Sequence, residues 1–217
     1  MMYNIAIDGP AGAGKSTIAK LVAKKLGYIY VDTGSMYRTL ALACIRAGVS
    51  AEEKDKVVDV CNSVQVSLEY VEGNQVVRLN GEDVSGYIRN EEVGNMTSAI
   101  AVYEPVREIL VKMQQKIATE QNLVMDGRDI GSVVLPNANL KIYLTASVET
   151  RAQRRYKELV EKGVDCDINE IEKDIEDRDY RDMHREVSPL TQTEDAILVD
   201  SSNMTIDEVV EKIISYV

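Results

Sequence analysis

The chain has 217 residues, 45% of them apolar and 28% charged, which suits one core carrying an inserted sub-domain and excludes disordered, collagen-like and fibrous classes. The 36 acidic residues outnumber the 25 basic ones, and the resulting net charge of -11 argues against nucleic-acid polymers and acidic membranes as partners. With one histidine, His184, and neither Trp nor Phe, the chain cannot assemble a His-rich metal site or a relay of several imidazoles.

The first cation is Lys15, so Met1 to Asp8 lacks the basic start of a secretory signal, and no run approaches the ~18 apolar residues that a membrane span needs. Cys44, Cys61 and Cys166 form no C-x-x-C pair and read as reduced packing thiols. A cytoplasmic, monomeric protein is expected.

In chain order, Tyr3 to Ile7 reads as a strand and Ser16 to Leu26 as a helix stopped by Gly27. A second strand, Tyr28 to Val31, leads into a helix with Met36, Leu40, Ala43 and Cys44 on one face, closed by Gly48. Ser50 and Glu53 have capping-box spacing and predict a helix start there. Val64 to Val84 turns strand-like, and turns at Glu72-Gly73-Asn74 and Asn80-Gly81 predict a small antiparallel meander. Pro105 opens a long helix with Val106, Ile109, Leu110, Met113 and Ile117 at core spacing. Short apolar strands at Leu123 to Met125, Leu140 to Leu144 and Ile197 to Val199 resume the alternation. Charged helices fall at 149 to 162 and 168 to 185, and a last helix is capped by Thr205 with Glu208.

This order predicts an α/β fold of the P-loop NTPase type: a five-stranded parallel sheet covered by helices, an inserted meander and a helical lid. The core is expected at 1–60, 101–150 and 186–217, the inserted sub-domain at about 61–100, and the lid at about 151–185.

Gly9-Pro10-Ala11-Gly12-Ala13-Gly14-Lys15-Ser16 fits G-x-x-x-x-G-K-[ST] between a strand and a helix, with Thr17 a second hydroxyl behind it. Glycines let backbone N–H groups turn toward phosphate oxygens, Lys15 reaches the β and γ phosphates of ATP, and Ser16 can ligate Mg²⁺. The alternative is a tight glycine turn beside a chance lysine. Leu123 to Asp126 is an apolar strand ending in an acid, the form of a Walker-B segment, so Asp126 is a candidate to hold Mg²⁺ through a bound water. A turn-forming Asp-Gly accounts for the same letters.

Seven arginines, at 128, 151, 154, 155, 178, 181 and 185, crowd one region of an acidic chain. Arg151, Arg154 and Arg155 share i, i+3, i+4 spacing, as do Arg178, Arg181 and Asp182, so each set could converge on one anion or could line a solvated helix face. A transferring phosphoryl group needs such guanidinium donors.

Taken together, the phosphate loop, Asp-Thr-Gly-Ser-Met-Tyr-Arg at 32 to 38, Gly-Glu-Asp-Val-Ser at 81 to 85, Asp-Gly-Arg-Asp-Ile-Gly at 126 to 131 and Arg-Asp-Tyr-Arg-Asp-Met-His-Arg at 178 to 185 resemble the bacterial cytidylate kinases, within the nucleoside-monophosphate kinases. The resemblance runs from Ile5 to about Ser201. It implies transfer of the ATP γ-phosphate to CMP or dCMP, with Mg²⁺. It assigns the acceptor phosphate to Arg38 and Arg128, the ribose to Arg178 and Asp182, and the cytosine to Ser98, Arg107, Asp129 and Arg185. Thr33 stands where a serine is common, and Arg154 and Arg155 look like lid arginines that act with Lys15 and Arg128 in catalysis.

The base assignment has a physical basis, because a carboxylate accepts from the N4 amine of cytosine whereas uracil presents O4 and repels it. Single residues have plainer readings too: Ser98 could back-bond its helix, and Arg107 could be a surface residue. A kinase for UMP, AMP or another small acceptor would share all but the base-reading set. A nucleotide-dependent switch protein is the alternative from another class, although the guanine-reading Asn-Lys-x-Asp is missing from the sequence.

Overall fold

The computed structural model describes residues 2–71 and 74–217. The chain divides into two compact units, one made of Met1–Tyr30 with Asn122–Val217 and the other of Val31–Gln121.

In the first unit, β1 (Asn4–Asp8) lies between β6 (Leu123–Gly127) and β7 (Leu140–Thr145), parallel to both. With β2 (Ile29–Asp32) and β8 (Ile197–Asp200) the five strands run in the order β2-β6-β1-β7-β8, as expected for crossovers through helices. Ile5, Ile7, Val124, Ile142, Leu144 and Val199 form the buried face. Against it pack Ile18, Ala19 and Val22 of α1 (Lys15–Leu26) and Val209, Val210 and Ile213 of α8 (Ile206–Ile214). Gly27 ends α1 in the left-handed region at φ 68. Thr205 and Glu208 form the full capping box expected at α8, worth ~1 kcal/mol to its start. The charged helices are α6 (Val148–Glu161) and α7 (Ile168–His184). A five-residue π-turn, Ile130–Val134, follows β6 and was not foreseen from the sequence.

In the second unit, Asp32 caps α2 (Thr33–Arg46) by accepting from the Ser35 amide at 3.0 Å. The expected helix start at Ser50 lies four residues too early. The Glu53 carboxylate does accept from the Ser50 amide, but the Ser50 hydroxyl turns to Glu52, so a turn forms first and α3 begins at Lys54 (Lys54–Ser63).

The meander is present as β3 (Val66–Val71), β4 (Asn74–Leu79) and β5 (Glu82–Asp83), antiparallel throughout. Asn80 and Gly81 both take positive φ, 51 and 86, as a two-residue hairpin turn requires. Of the other expected turn, Glu72 and Gly73 lie outside the described residues. Gln75 of β4 ties the meander to the start of α2: its amide nitrogen donates to the Ser35 hydroxyl at 2.7 Å, and its oxygen accepts from the Asp32 amide at 2.9 Å.

A helix not foreseen, α4 (Glu91–Ile100), is capped by Asn90, and α5 (Glu104–Glu120) follows with its Pro in the first turn. The inward row of α5 is Val106, Arg107, Leu110, Gln114 and Ala118, with Ile109, Met113 and Ile117 on its half-buried flank. Cys44 and Cys61 are buried free thiols, and Cys166 is half-buried.

Candidate active site

The phosphate loop occupies the expected place, between β1 and α1 at the carboxyl end of the sheet. Its first glycine is required by contact: at Gly9, φ 151, a Cβ would stand 1.9 Å from the Leu144 carbonyl oxygen of β7. Lys15 is buried and its ammonium donates to the Pro10 carbonyl at 2.7 Å. Burial, reinforced by the like charge of Arg128, pushes Lys15 down to about 7 against the pull of Asp126, Asp182 and Asp8. The Ser16 hydroxyl donates to Asp126 Oδ2 at 2.9 Å while the Tyr30 hydroxyl donates to Oδ1 at 2.8 Å. These hydroxyl and carboxylate oxygens are the hard donor type that Mg²⁺ selects.

Arg128, just past β6, donates to Asp182 at 2.8 Å and to the Gly127 carbonyl at 3.2 Å. Burial opposes ionisation of Asp182, yet Arg128, Arg178 and Arg185 together hold it below its ordinary value. Asp129 is buried, and its carboxylate meets the Arg185 guanidinium at 3.9 Å, an ion contact beyond hydrogen-bond range. Arg185 also donates to the Ser188 carbonyl at 2.7 Å. One charged cluster in the first unit thus gathers Lys15, Arg128, Asp129, Arg178, Asp182 and Arg185.

Three arginines of α6 do not converge. Arg151 is buried and serves the loop from behind, donating to the Ala146 carbonyl at 2.9 Å and the Ala11 carbonyl at 3.0 Å while pairing with Asp179 at 2.7 Å. Arg154 is held by Ser201, with 2.8 Å to its carbonyl, and Arg155 is half exposed beside Glu158. Of the α7 set, Arg181 turns outward to the Asp177 carbonyl. The single histidine spends its Nδ1 on the Tyr180 carbonyl of its own helix at 2.8 Å.

In the second unit, Thr33 is buried in the first turn of α2. The Arg38 guanidinium donates to the Ile88 carbonyl at 3.2 Å and lies against Gly94 of α4, where a Cβ would come within 3.4 Å of it. Ser98, one turn further along α4, donates to the Gly94 carbonyl at 3.2 Å. Arg107 is 4% exposed, not a surface residue; it donates to the Ala101 carbonyl at 3.0 Å and stacks 5.4 Å from the Tyr37 ring.

Sequence reasoning passed over Asp8 and Tyr30, and read Arg151 only as one of a set that could meet an anion, not as a support of the loop. Only the position of Asp8, an acid at a strand end immediately before the loop, carried any signal.

Comparison with known proteins agrees with this geometry. The cytidylate kinase family matches residues 5–217. The chain is 50% identical over 211 residues to the cytidylate kinase of Caldicellulosiruptor bescii, covering 97% of this chain and 93% of that protein. It is equally similar to that of Leuconostoc mesenteroides, 50% over 97% of this chain and 94% of the relative, and 48% identical to that of Bacillus cereus over 99% and 95%. Among solved structures, an uncharacterised protein from Eubacterium ventriosum aligns with TM-score 0.56 at 13% identity, covering 99% of this chain and 98% of the other. A gluconokinase from Sinorhizobium meliloti aligns with TM-score 0.50 at 11% identity, over 99% and 90%. Identities this low speak for the fold alone, whereas the match across nearly the whole sequence speaks for descent: the chain belongs to the cytidylate kinase family.

Proposed function

We propose that the chain transfers the γ-phosphate of ATP to CMP or dCMP, giving ADP and CDP or dCDP. The observation that carries this reading is that the phosphate-loop Ser16 is bonded to Asp126 at the end of β6, two residues before Arg128, which is itself bonded to Asp182, so that donor-side and acceptor-side groups meet at one strand end. Backbone N–H groups of Gly9 to Thr17 cradle the ATP phosphates, and Lys15, drawn from the Pro10 carbonyl, neutralises the charge that spreads over the transferring group. Arg38 and Arg128 hold the acceptor phosphate in line, while Arg154 and Arg155 supply further donors from the lid segment 151–185.

Arg178 and Asp182 bind the ribose; Thr33 and Ser98 offer hydroxyls; Arg107, Asp129 and Arg185 read the cytosine. Mg²⁺ would be held by Ser16, with Asp126 acting through a bound water, and when present supplies electrostatic stabilisation of the phosphates. We further infer that segments 61–100 and 151–185 move as sub-domain and lid to exclude water, and that the enzyme acts as a cytoplasmic monomer on small molecules. The acidic charge supports that choice of partners, and among the described residues no helix is long and apolar enough to cross a membrane.

The test is ADP release from Mg·ATP with CMP, dCMP, UMP and AMP offered separately. CMP and dCMP are expected to turn over most efficiently. Equal or better use of AMP, or ATP turnover indifferent to any acceptor, would overturn the reading.

A further inference from the structure

We propose that Asp8 is a positioning residue: by capping the turn after β6 from the neighbouring strand, it keeps the Asp129 carboxylate facing the acceptor base. The inference rests on Asp129 being the group that reads the cytosine amine. Asp129 occupies the N-cap position of the π-turn Ile130–Val134 and makes no side-chain capping bond there. Aspartate is among the strongest N-cap residues, because its carboxylate readily accepts from the amides two and three residues on. At this position that habit would draw it back onto the Gly131 and Ser132 amides.

Asp8 forestalls this. From the end of β1 it accepts from the Ile130 amide at 2.8 Å and from the Gly131 amide at 2.7 Å, one bond to each carboxylate oxygen. The turn is therefore satisfied by a residue more than a hundred positions earlier, and the Asp129 carboxylate faces Arg185. The approach is close enough to favour glycine at 131, where a Cβ would crowd Lys141 Cδ at 3.1 Å and Asp8 Oδ2 at 3.3 Å. Two diverging amide donors need two acceptor oxygens, which a carboxylate has and a carboxamide lacks. Keeping that carboxylate costs the fold: burial raises Asp8 to about 6 despite both amide bonds, with the Asp129 charge adding to the rise and Lys15 opposing it.

The experiment compares wild type, Asp8→Asn, Asp129→Ala and the double variant, reading kcat/KM for CMP and for UMP together with KM for ATP. In Asp8→Asn the carboxamide nitrogen confronts the Gly131 amide, the turn loses a cap, and Asp129 is free to fold back. The CMP-to-UMP preference is expected to fall ~10-fold or more, as for loss of one charged hydrogen bond, and to fall little further when Asp8→Asn is added to Asp129→Ala. An unchanged preference in Asp8→Asn, or an equal fall in both backgrounds, overturns the role of Asp8 alone. An unchanged preference in Asp129→Ala overturns the base-reading assignment and this inference with it. Should Asp8→Asn fail to fold, Gly131→Ala pushes the same turn off the Asp8 carboxylate, and the same preference is read; no change there overturns the inference.

Discussion

The phosphate loop and the Arg128–Asp129 segment leave neighbouring strands, β1 and β6, yet they are held by different means. The loop is shaped mostly by its own backbone, with positive φ at Gly9, Gly12 and Gly14 and a lysine bonded five residues back, and Arg151 adds one distant bond to the Ala11 carbonyl. The Arg128–Asp129 segment has the backbone bonds of its own turn, from the Val133 and Val134 amides to the Asp129 carbonyl, but its side chains lean on the rest of the chain. Its cap comes from Asp8, Arg128 is steadied by Asp182, and Asp129 faces Arg185, all from distant parts of the chain. A site for the phosphates common to every nucleotide can be written into eight consecutive residues. The charged cluster around Arg128 and Asp129 depends instead on side chains that tertiary structure must bring together.

The largest expected effect breaks the loop and spares the acceptor side. Lys15→Ala should fold normally and lose ~10³-fold or more in kcat, since the backbone cradle survives without its mobile charge. Retention of wild-type turnover would remove Lys15 from the chemistry. Arg38→Ala works the other way: loss of a charged hydrogen bond to the acceptor phosphate should raise KM for CMP by ~10- to 150-fold and lower kcat, with KM for ATP unaltered. An unchanged KM for CMP would take Arg38 out of the site. Asp129→Ala sharpens the contrast further, because only base choice should suffer. The CMP-to-UMP ratio of kcat/KM should fall by ~10- to 150-fold, whereas equal losses on both substrates would reduce Asp129 to a structural part.

The smallest effect concerns pH. Folded Lys15 releases its proton near 7, but in the unfolded chain it does so near 10.5, so between those values the unfolded state holds more protons and stability rises with pH. In the ligand-free protein, urea unfolding at pH 7 and pH 9.5 should show that rise in wild type and a flatter dependence in Lys15→Met. Identical slopes in the two proteins would contradict a buried, charge-stressed lysine.

The same contrast decides what the sequence disclosed. Asn80-Gly81, Gly27, the Thr205–Glu208 box and the phosphate loop were legible because each acts over a few residues. Ser50 and Glu53 misled because a neighbouring acid, Glu52, took the hydroxyl that the cap needed. The helix α4 stayed hidden because Gly94 and Thr97 lower its propensity. On α6 and α7, spacing placed the arginines on shared faces but could not name partners: Arg151 reaches the Ala11 carbonyl, 140 positions away, and Asp179. Buried Gln114 was masked by the apolar letters flanking it on α5, where Arg107 was picked out by the resemblance and not by its spacing.

The placement of β1 also bears on how the protein is made. This strand is made more than a hundred residues before either of its two partners, β6 (Leu123–Gly127) and β7 (Leu140–Thr145). Until those partners emerge, Ile5 and Ile7 therefore have no sheet to join. Val31–Gln121, by contrast, is continuous and has its whole chain before either partner exists. Assembly should begin within Val31–Gln121, with the parallel sheet closing later, and nascent β1 is the segment most in need of shelter until it does.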